Sequence, residues 1–226
     1  MNREETIEFS GADLPALQRL VLAYAPATAR PWQALCWHLD QRLASVARRG
    51  GDPTIAAIRL AWWDAVLVEA DPAKGAGEPL VERWRAMARD EGAAVGRLID
   101  GWRMLVSPEA LTRDDLLEYG RARGGGLFAL LAAGQPELSE ALERSGTLWA
   151  LWDLAAHVRD EDLARRAMAV ARDVLGTGRA RAPSDLPRPL RLLSAAIMPD
   201  VRAGRVPRAA FTPAHYARLL IASLRG

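Results

Sequence analysis

No stretch of this chain alternates polar and apolar residues convincingly, and threonine and isoleucine are sparse. A half-buried strand needs a two-residue period and favours β-branched side chains, so the pattern argues against sheets. Alanine, leucine and arginine dominate instead, and all three favour helices. The chain's 226 residues suit one large domain, and half of them are hydrophobic, enough to bury a substantial core. No composition shift divides the chain, and no fixed-period repeat marks a solenoid.

Glycine and proline punctuate the helical pattern. Asp13 is placed to cap a first helix carrying Leu14, Leu17, Val21 and Leu22, which Pro26 ends. Pro31 starts a second helix through about Arg48, stopped by Gly50-Gly51. Asp52-Pro53 opens a third, whose Ile55, Ile58, Trp62 and Val66 share one face. Asp71 to Gly77 reads as a loop. Helices follow over about Pro79–Asp90 and Gly92–Leu105, with a turn at Ser107-Pro108. Thr112 then caps a helix reaching about Ala133, with Gly124-Gly125-Gly126 inside it. Three glycines there cost roughly 1 kcal/mol each relative to alanine, tolerable where a neighbouring helix or a ligand must approach closely. After Gly134-Gln135-Pro136 come helices over Glu137–Val158 and Asp160–Leu175. A loop, Gly176 to Pro189, and short helices at Leu190–Met198 and Pro213–Leu224 complete the chain.

The net charge is only +2, from 30 basic and 28 acidic residues interspersed with one another, so no basic stripe suggests a nucleic-acid partner. Lys74 is the single lysine, and the arginine excess reads as a coding bias. Cys36 is the only cysteine, which rules out an intrachain disulfide, and its apolar surroundings predict a buried structural thiol. Met1 to Ser10 is polar and acidic, unlike a signal peptide. The longest uncharged apolar run, about Gly124 to Pro136, is well short of the roughly 20 residues a membrane span needs. These features predict a cytoplasmic protein without a transmembrane segment, with peripheral membrane contact allowed.

The most informative string is Ile58-Arg59-Leu60-Ala61-Trp62-Trp63-Asp64-Ala65-Val66-Leu67. Adjacent tryptophans project about 100° apart on a helix, so one can enter the core while the other covers a neighbouring helix. Arg59 lies four residues before Trp63, placed to stack on that indole or to enter a polar cavity. The string resembles the R-L-x-W-W-x-D-x-L signature of the squalene/phytoene synthase family. Leu39 to Val46 with Asp52-Pro53 resembles the segment that leads into the signature. Tyr119-Gly120-Arg121-Ala122-Arg123-Gly124-Gly125-Gly126-Leu127 resembles the tyrosine and glycine-containing helix that line the family's cavity. Trp149 to Arg166 takes the place of its second aspartate-rich helix. The likeness is strongest over residues 23–198 of a single domain spanning 1–226.

The resemblance implies an all-α, single-domain helical bundle of the isoprenoid synthase type around a central cavity. It also implies joining of two prenyl diphosphates, with D-x-x-x-D motifs on facing helices holding magnesium. Carboxylates four residues apart share a helical face, and magnesium takes one or two of them plus phosphate oxygens, neutralising the leaving diphosphate. Both motifs depart from that pattern. Asp40 is the only carboxylate between Pro15 and Gly51, and its partner positions carry Gln41, Arg42, Ala44 and Val46. Val158-Arg159-Asp160 looks like the family's L-R-D, but Ala164 stands four residues beyond. Glu161 and Asp162 face other directions and suit an acidic helix N-terminus. Asp153 and His157 have the spacing but make a poor magnesium pair.

Three readings follow. In the first, metal chemistry is lost, no cofactor is expected, and the protein binds an isoprenoid or other lipid, or a protein partner. The short bacterial branch resembling complex I assembly factors carries such a pattern. Its ligand cavity would use Asp40, Arg42, Tyr119, Arg121, Gly125, Leu127, Asp153 and His157, with a polar pocket beside Asp40, Arg42 and Arg121. In the second, a magnesium-dependent prenyltransferase survives, with Asp40, Asp153, Asp160 and Tyr119 catalytic and Asp153 and Asp160 on the metal. In the third, the chain is a helical interaction protein and the likeness reports ancestry only. His38 and His215 are too dispersed for a zinc site, and no phosphate-loop, zincin, nucleophile-elbow or dinucleotide fingerprint occurs.

Overall fold

Asp52 accepts a hydrogen bond from the Thr54 amide, and Pro53 begins the helix that follows. Thr112 and Asp115 form a reciprocal capping box, and Asp160 accepts from the amides of Asp162 and Leu163. Such caps satisfy amides that a helix start leaves without partners. The computed structural model describes residues 11–48, 52–106, 109–132, 140–176, 186–208 and 212–224, and among these every regular element is helical.

In chain order these are α1 (Ala16–Ala23), α2 (Arg30–Arg48), α3 (Pro53–Leu67), α4 (Pro79–Met87), α5 (Gly92–Met104) and α6 (Arg113–Tyr119). After a π-helical turn at Gly120–Gly124 come α7 (Gly125–Leu131), α8 (Glu140–His157), α9 (Glu161–Leu175), α10 (Arg188–Ala203) and α11 (Pro213–Leu224). They pack on one continuous apolar core. The central helix is α8, in contact with α6, α7, α9, α10 and the π turn. On the other side α2 packs against α1, α3, α4, α5 and α7. Indole and amide donors of α2 reach the end of α7: Trp32 Nε1 donates to the Leu130 carbonyl at 2.6 Å, and Gln33 Nε2 to that of Leu131 at 2.9 Å. No helix among the described residues is long and apolar enough to cross a membrane. Cys36 is fully buried, and burial pushes its thiol pKa well up, which suits a structural role.

Several local expectations change. Asp13 does not cap α1: it ends a short 3₁₀ turn, Gly11–Asp13, and Pro15 starts the helix without a side-chain cap. On α3 the core takes Leu60, Trp63, Val66 and Leu67, while Ile55 and Ile58 are 49% and 64% exposed. Apolar residues surround this helix, so periodicity alone does not select its inner face. The helix expected from Thr112 to Ala133 is interrupted by the π turn. α10 runs past Pro199 to Ala203 and ends on Gly204 in the left-handed conformation (φ 58°). The punctuation at Gly50-Gly51, Ser107-Pro108 and Gly134-Gln135-Pro136 lies outside the described residues, as do Met1 to Ser10 and residues 177–185 of the long loop.

The glycines of the π turn and α7 let backbones touch. A Cβ on Gly124 would lie 2.0 Å from the Gly146 carbonyl oxygen of α8, and one on Gly126 2.6 Å from the Leu98 amide of α5. Facing the same turn, a Cβ on Gly101 would fall 2.5 Å from the Arg123 amide. These glycines serve helix packing, and they bring Arg123 into the middle of the bundle.

Candidate functional site

Arg123 is fully buried, and so is Asp40. Two opposed helices supply its carboxylate partners. Arg123 Nε donates to Asp40 Oδ1 at 3.1 Å and Nη2 to Asp40 Oδ2 at 2.9 Å, from α2. From α8, Asp153 Oδ2 stands 2.8 Å from the same Nη2. Nη1 donates to the Tyr119 hydroxyl at 2.7 Å, and Trp102 Nε1 to Asp40 Oδ1 at 2.9 Å. The guanidinium plane also meets aromatic faces, its Cζ lying 4.1 Å from the Trp102 ring centre and 4.6 Å from that of Trp149. Arginine's flat, weakly hydrated fork suits this combination of bidentate pairing and stacking.

Asp153 has further partners. Arg48 Nη2 donates to its Oδ2 at 3.2 Å, and His157 Nδ1 lies 2.8 Å from its backbone carbonyl and 3.3 Å from Oδ1. Burial opposes ionisation of Asp153, but the Arg123 charge and the His157 hydrogen bond outweigh it and hold the carboxyl well below the usual range. The hydrogen bond to Asp153 raises the His157 pKa against the effect of its burial. Burial lifts the Tyr119 hydroxyl to about 12, so it stays neutral. Burial disfavours the Arg123 charge, yet Asp40, Tyr119 and Asp153 raise its pKa well above the ordinary value.

A cavity of about 280 Å³ adjoins this cluster, between α1 and α8. Trp149, Trp152 and Ala156 supply one wall and Leu17 and Gln18 another, while Gln41, Asp153, His157, Arg208 and His215 add polar edges. Gln18 is 6% exposed, and its Oε1 has no hydrogen-bond partner among the described residues. A second buried carboxylate, Asp200, binds α11 and α8 to α10. Asp200 Oδ2 lies 3.1 Å from Arg218 Nη1, 3.2 Å from His215 Nε2 and 3.4 Å from Trp152 Nε1.

The structure thus brings Asp40, Tyr119, Asp153 and His157 together and separates the other expected residues. Arg42 is turned to the surface and pairs with Glu78 at 2.7 Å. Arg121 is exposed on a different groove, beside Arg113, Glu143 and Arg144. The expected pocket of Asp40, Arg42 and Arg121 therefore does not form, because successive helical positions point apart. Gly125 and Leu127 are buried in the packing of α7, and Tyr119 in the core; none of the three lines the cavity. Asp160 is exposed, serving as the cap of α9 rather than facing Asp153. Trp63 is buried and Trp62 half-buried, edge-on to each other at 5.0 Å, and Arg59 lines a shallow groove beside them.

Sequence reasoning missed Arg123, Trp102, Arg48, Gln18 and Asp200. One signal was present: Arg123 lies four residues after Tyr119, on the same helical face, whereas Arg121 does not. The residues at the centre do not fit magnesium. Asp40 and Asp153 face each other, but the Arg123 guanidinium bridges the two and Arg48 adds a second positive charge at Asp153. Among the described residues, no group of three or more His, Cys, Asp or Glu could hold a metal ion.

Fold and site together define an all-helical protein with a buried arginine clamp beside a part-apolar cavity. No protein-family model matches the chain, and no curated protein matches it.

Proposed function

We propose that this chain is a squalene/phytoene synthase-like protein that has given up magnesium–diphosphate chemistry and binds a small, lipid-like ligand. The observation that carries this reading is the position of Arg123 between Asp40 and Asp153. Facing carboxylates on two helices are what a diphosphate-handling bundle needs in order to gather metal. Here their charge is spent on a fixed cation held at 2.8–3.1 Å. A metal ion would have to displace a fully buried guanidinium, leaving an uncompensated charge at a cost of several kcal/mol. The adjoining cavity favours ligand binding over a purely structural role, since it joins the indole surface of Trp149 and Trp152 to a polar edge of Gln41, Asp153, His157 and Arg208. On this reading an isoprenoid or other lipid occupies the cavity, and any protein partner meets the outer surface.

Calorimetry with a non-hydrolysable farnesyl diphosphate analogue, with and without magnesium, tests the loss of chemistry. The expected result is no magnesium-dependent heat and no product from farnesyl diphosphate. Metal-dependent binding with product formation would restore the prenyltransferase reading.

A further inference from the structure

We infer that α11 lies in the surface of an anionic lipid bilayer, with Tyr216, Leu220, Ile221 and Leu224 in the boundary between headgroups and acyl chains and the arginines beside the helix on the lipid phosphates. Such docking goes beyond the ligand reading above and does not need the cavity to be filled. α11 is inside out. A helix on the outside of a bundle in water turns its apolar stripe inwards and its polar face to solvent. Here His215, 5% exposed, and Arg218 reach inwards to Asp200. Of the large apolar side chains only Leu219 is buried, while Tyr216, Leu220, Ile221 and Leu224 are between 48% and 79% exposed. At 100° per residue these four fall within one arc of about 140°. Asp200 fixes that rotation, since turning the helix over would strip a buried carboxylate of two partners.

Charge selects what covers this stripe. The near balance of the whole chain hides an uneven distribution. Residues 174–226 carry nine arginines against two aspartates and no glutamate, while the remainder is net acidic. Beyond residue 185 the sole acid is Asp200, which is 3% exposed. Arg202, Arg205 and Arg208 are exposed at the end of α10 and in the connection to α11. Arg205 Nη1 lies 3.5 Å from Asp200 Oδ1, and Arg208 lines the same cavity as His215, so both stand close to α11. An apolar stripe flanked by arginines, without an exposed acid, matches the surface of an anionic membrane. Pairing two copies through the stripe would bring two basic segments together. A nucleic acid would offer phosphates but no apolar layer. With 12 residues α11 is about 18 Å long, so it lies in the plane of the bilayer rather than across it. Tyr216 joins an aromatic body to a polar hydroxyl, which suits the headgroup level.

Co-sedimentation of the full chain with vesicles tests this docking. The protein should bind phosphatidylcholine vesicles containing about one-third phosphatidylglycerol. Binding should be weaker by about tenfold or more on phosphatidylcholine alone, and should loosen as salt rises. Leu220→Ser/Ile221→Ser changes two exposed side chains without changing charge. It should keep the circular dichroism and the elution volume of the unaltered protein, yet bind the mixed vesicles about tenfold more weakly. A polarity-sensitive dye on Leu220→Cys is a second readout, since Cys36 is fully buried and escapes labelling. Its emission should shift to the blue on the mixed vesicles. No binding to those vesicles, or binding with neither a loss in the double variant nor a shift of the dye, would overturn the inference. Equal binding to both kinds of vesicle would overturn the part given to the arginines. A dimer that the double variant dissolves would mean that a second copy covers the stripe, and would overturn the lipid surface. None of these outcomes alters the farnesyl diphosphate calorimetry, so the two readings fail separately.

Discussion

Arg123 has five N–H donors, and its partners are two carboxylates, a phenol and two indole faces. Removing a partner from a buried charge pair leaves the other charge uncompensated, which costs about 3–5 kcal/mol. Arg123→Met should therefore lower the urea midpoint by that equivalent. Arg123→Lys should also destabilise, because an ammonium cannot span Asp40 and Asp153 in one plane. The double variant Asp40→Asn/Arg123→Met should lose less than the two single changes added together. Simple additivity in that cycle would show that the pair is not coupled. Asp40 and Asp153 stood out in the sequence because carboxylates are rare on apolar helices. Their partner was hidden among many arginines. Only the contact across helices distinguishes Arg123 from Arg42 or Arg121, and that contact depends on the π turn, which no local pattern marks.

The helices were legible where caps and breakers punctuate the chain. The limits of α11 and the Asp160 start of α9 follow from Pro213 and an acidic N-cap. The inner face of α3 was not legible, because Ile55 and Ile58 compete with Leu60 and Trp63 and only packing against α5 decides between them. Arg103 fixes that packing by pairing with Asp64 at 3.2 Å. The glycines gave the opposite lesson: the sequence left open whether a ligand or a helix approaches them, and the answer is a helix. Gly124→Ala should be severely destabilising, since its Cβ would meet Gly146 backbone, which cannot yield as a side-chain tip does. Gly92→Ala, at the start of α5 with open space around it, should be neutral or raise stability by up to about 1 kcal/mol. Thermal melts of the two variants check the contrast; similar melting points would remove the helix-seam account.

Across the whole molecule, α8 carries Asp153 into the arginine clamp and Trp152 to Asp200, so two buried charge knots flank the cavity. Their protonation sets a pH profile for the entire fold. Asp153 titrates below its ordinary value when folded, so its contribution is present above about pH 4 and fades as pH falls below that. His157 titrates above its ordinary value when folded, so its contribution is complete below about pH 6.5 and is lost as pH rises through the folded value. The stability difference between the unaltered protein and Asp153→Asn should therefore peak between about pH 4 and 6.5 and shrink on both sides. Urea unfolding from pH 3 to 8 measures it, and a flat difference would contradict the assignment.

The guanidinium at the centre has one more consequence. A dissociable counter-ion ties the integrity of a bundle to the supply of that ion around it, and the bundle loosens when the supply falls. This chain carries its counter-ion covalently, as the side chain of Arg123. Its central ion pairs are complete as soon as α2, the π turn and α8 have met, and on the reading proposed above a chelator should leave the melting temperature unchanged.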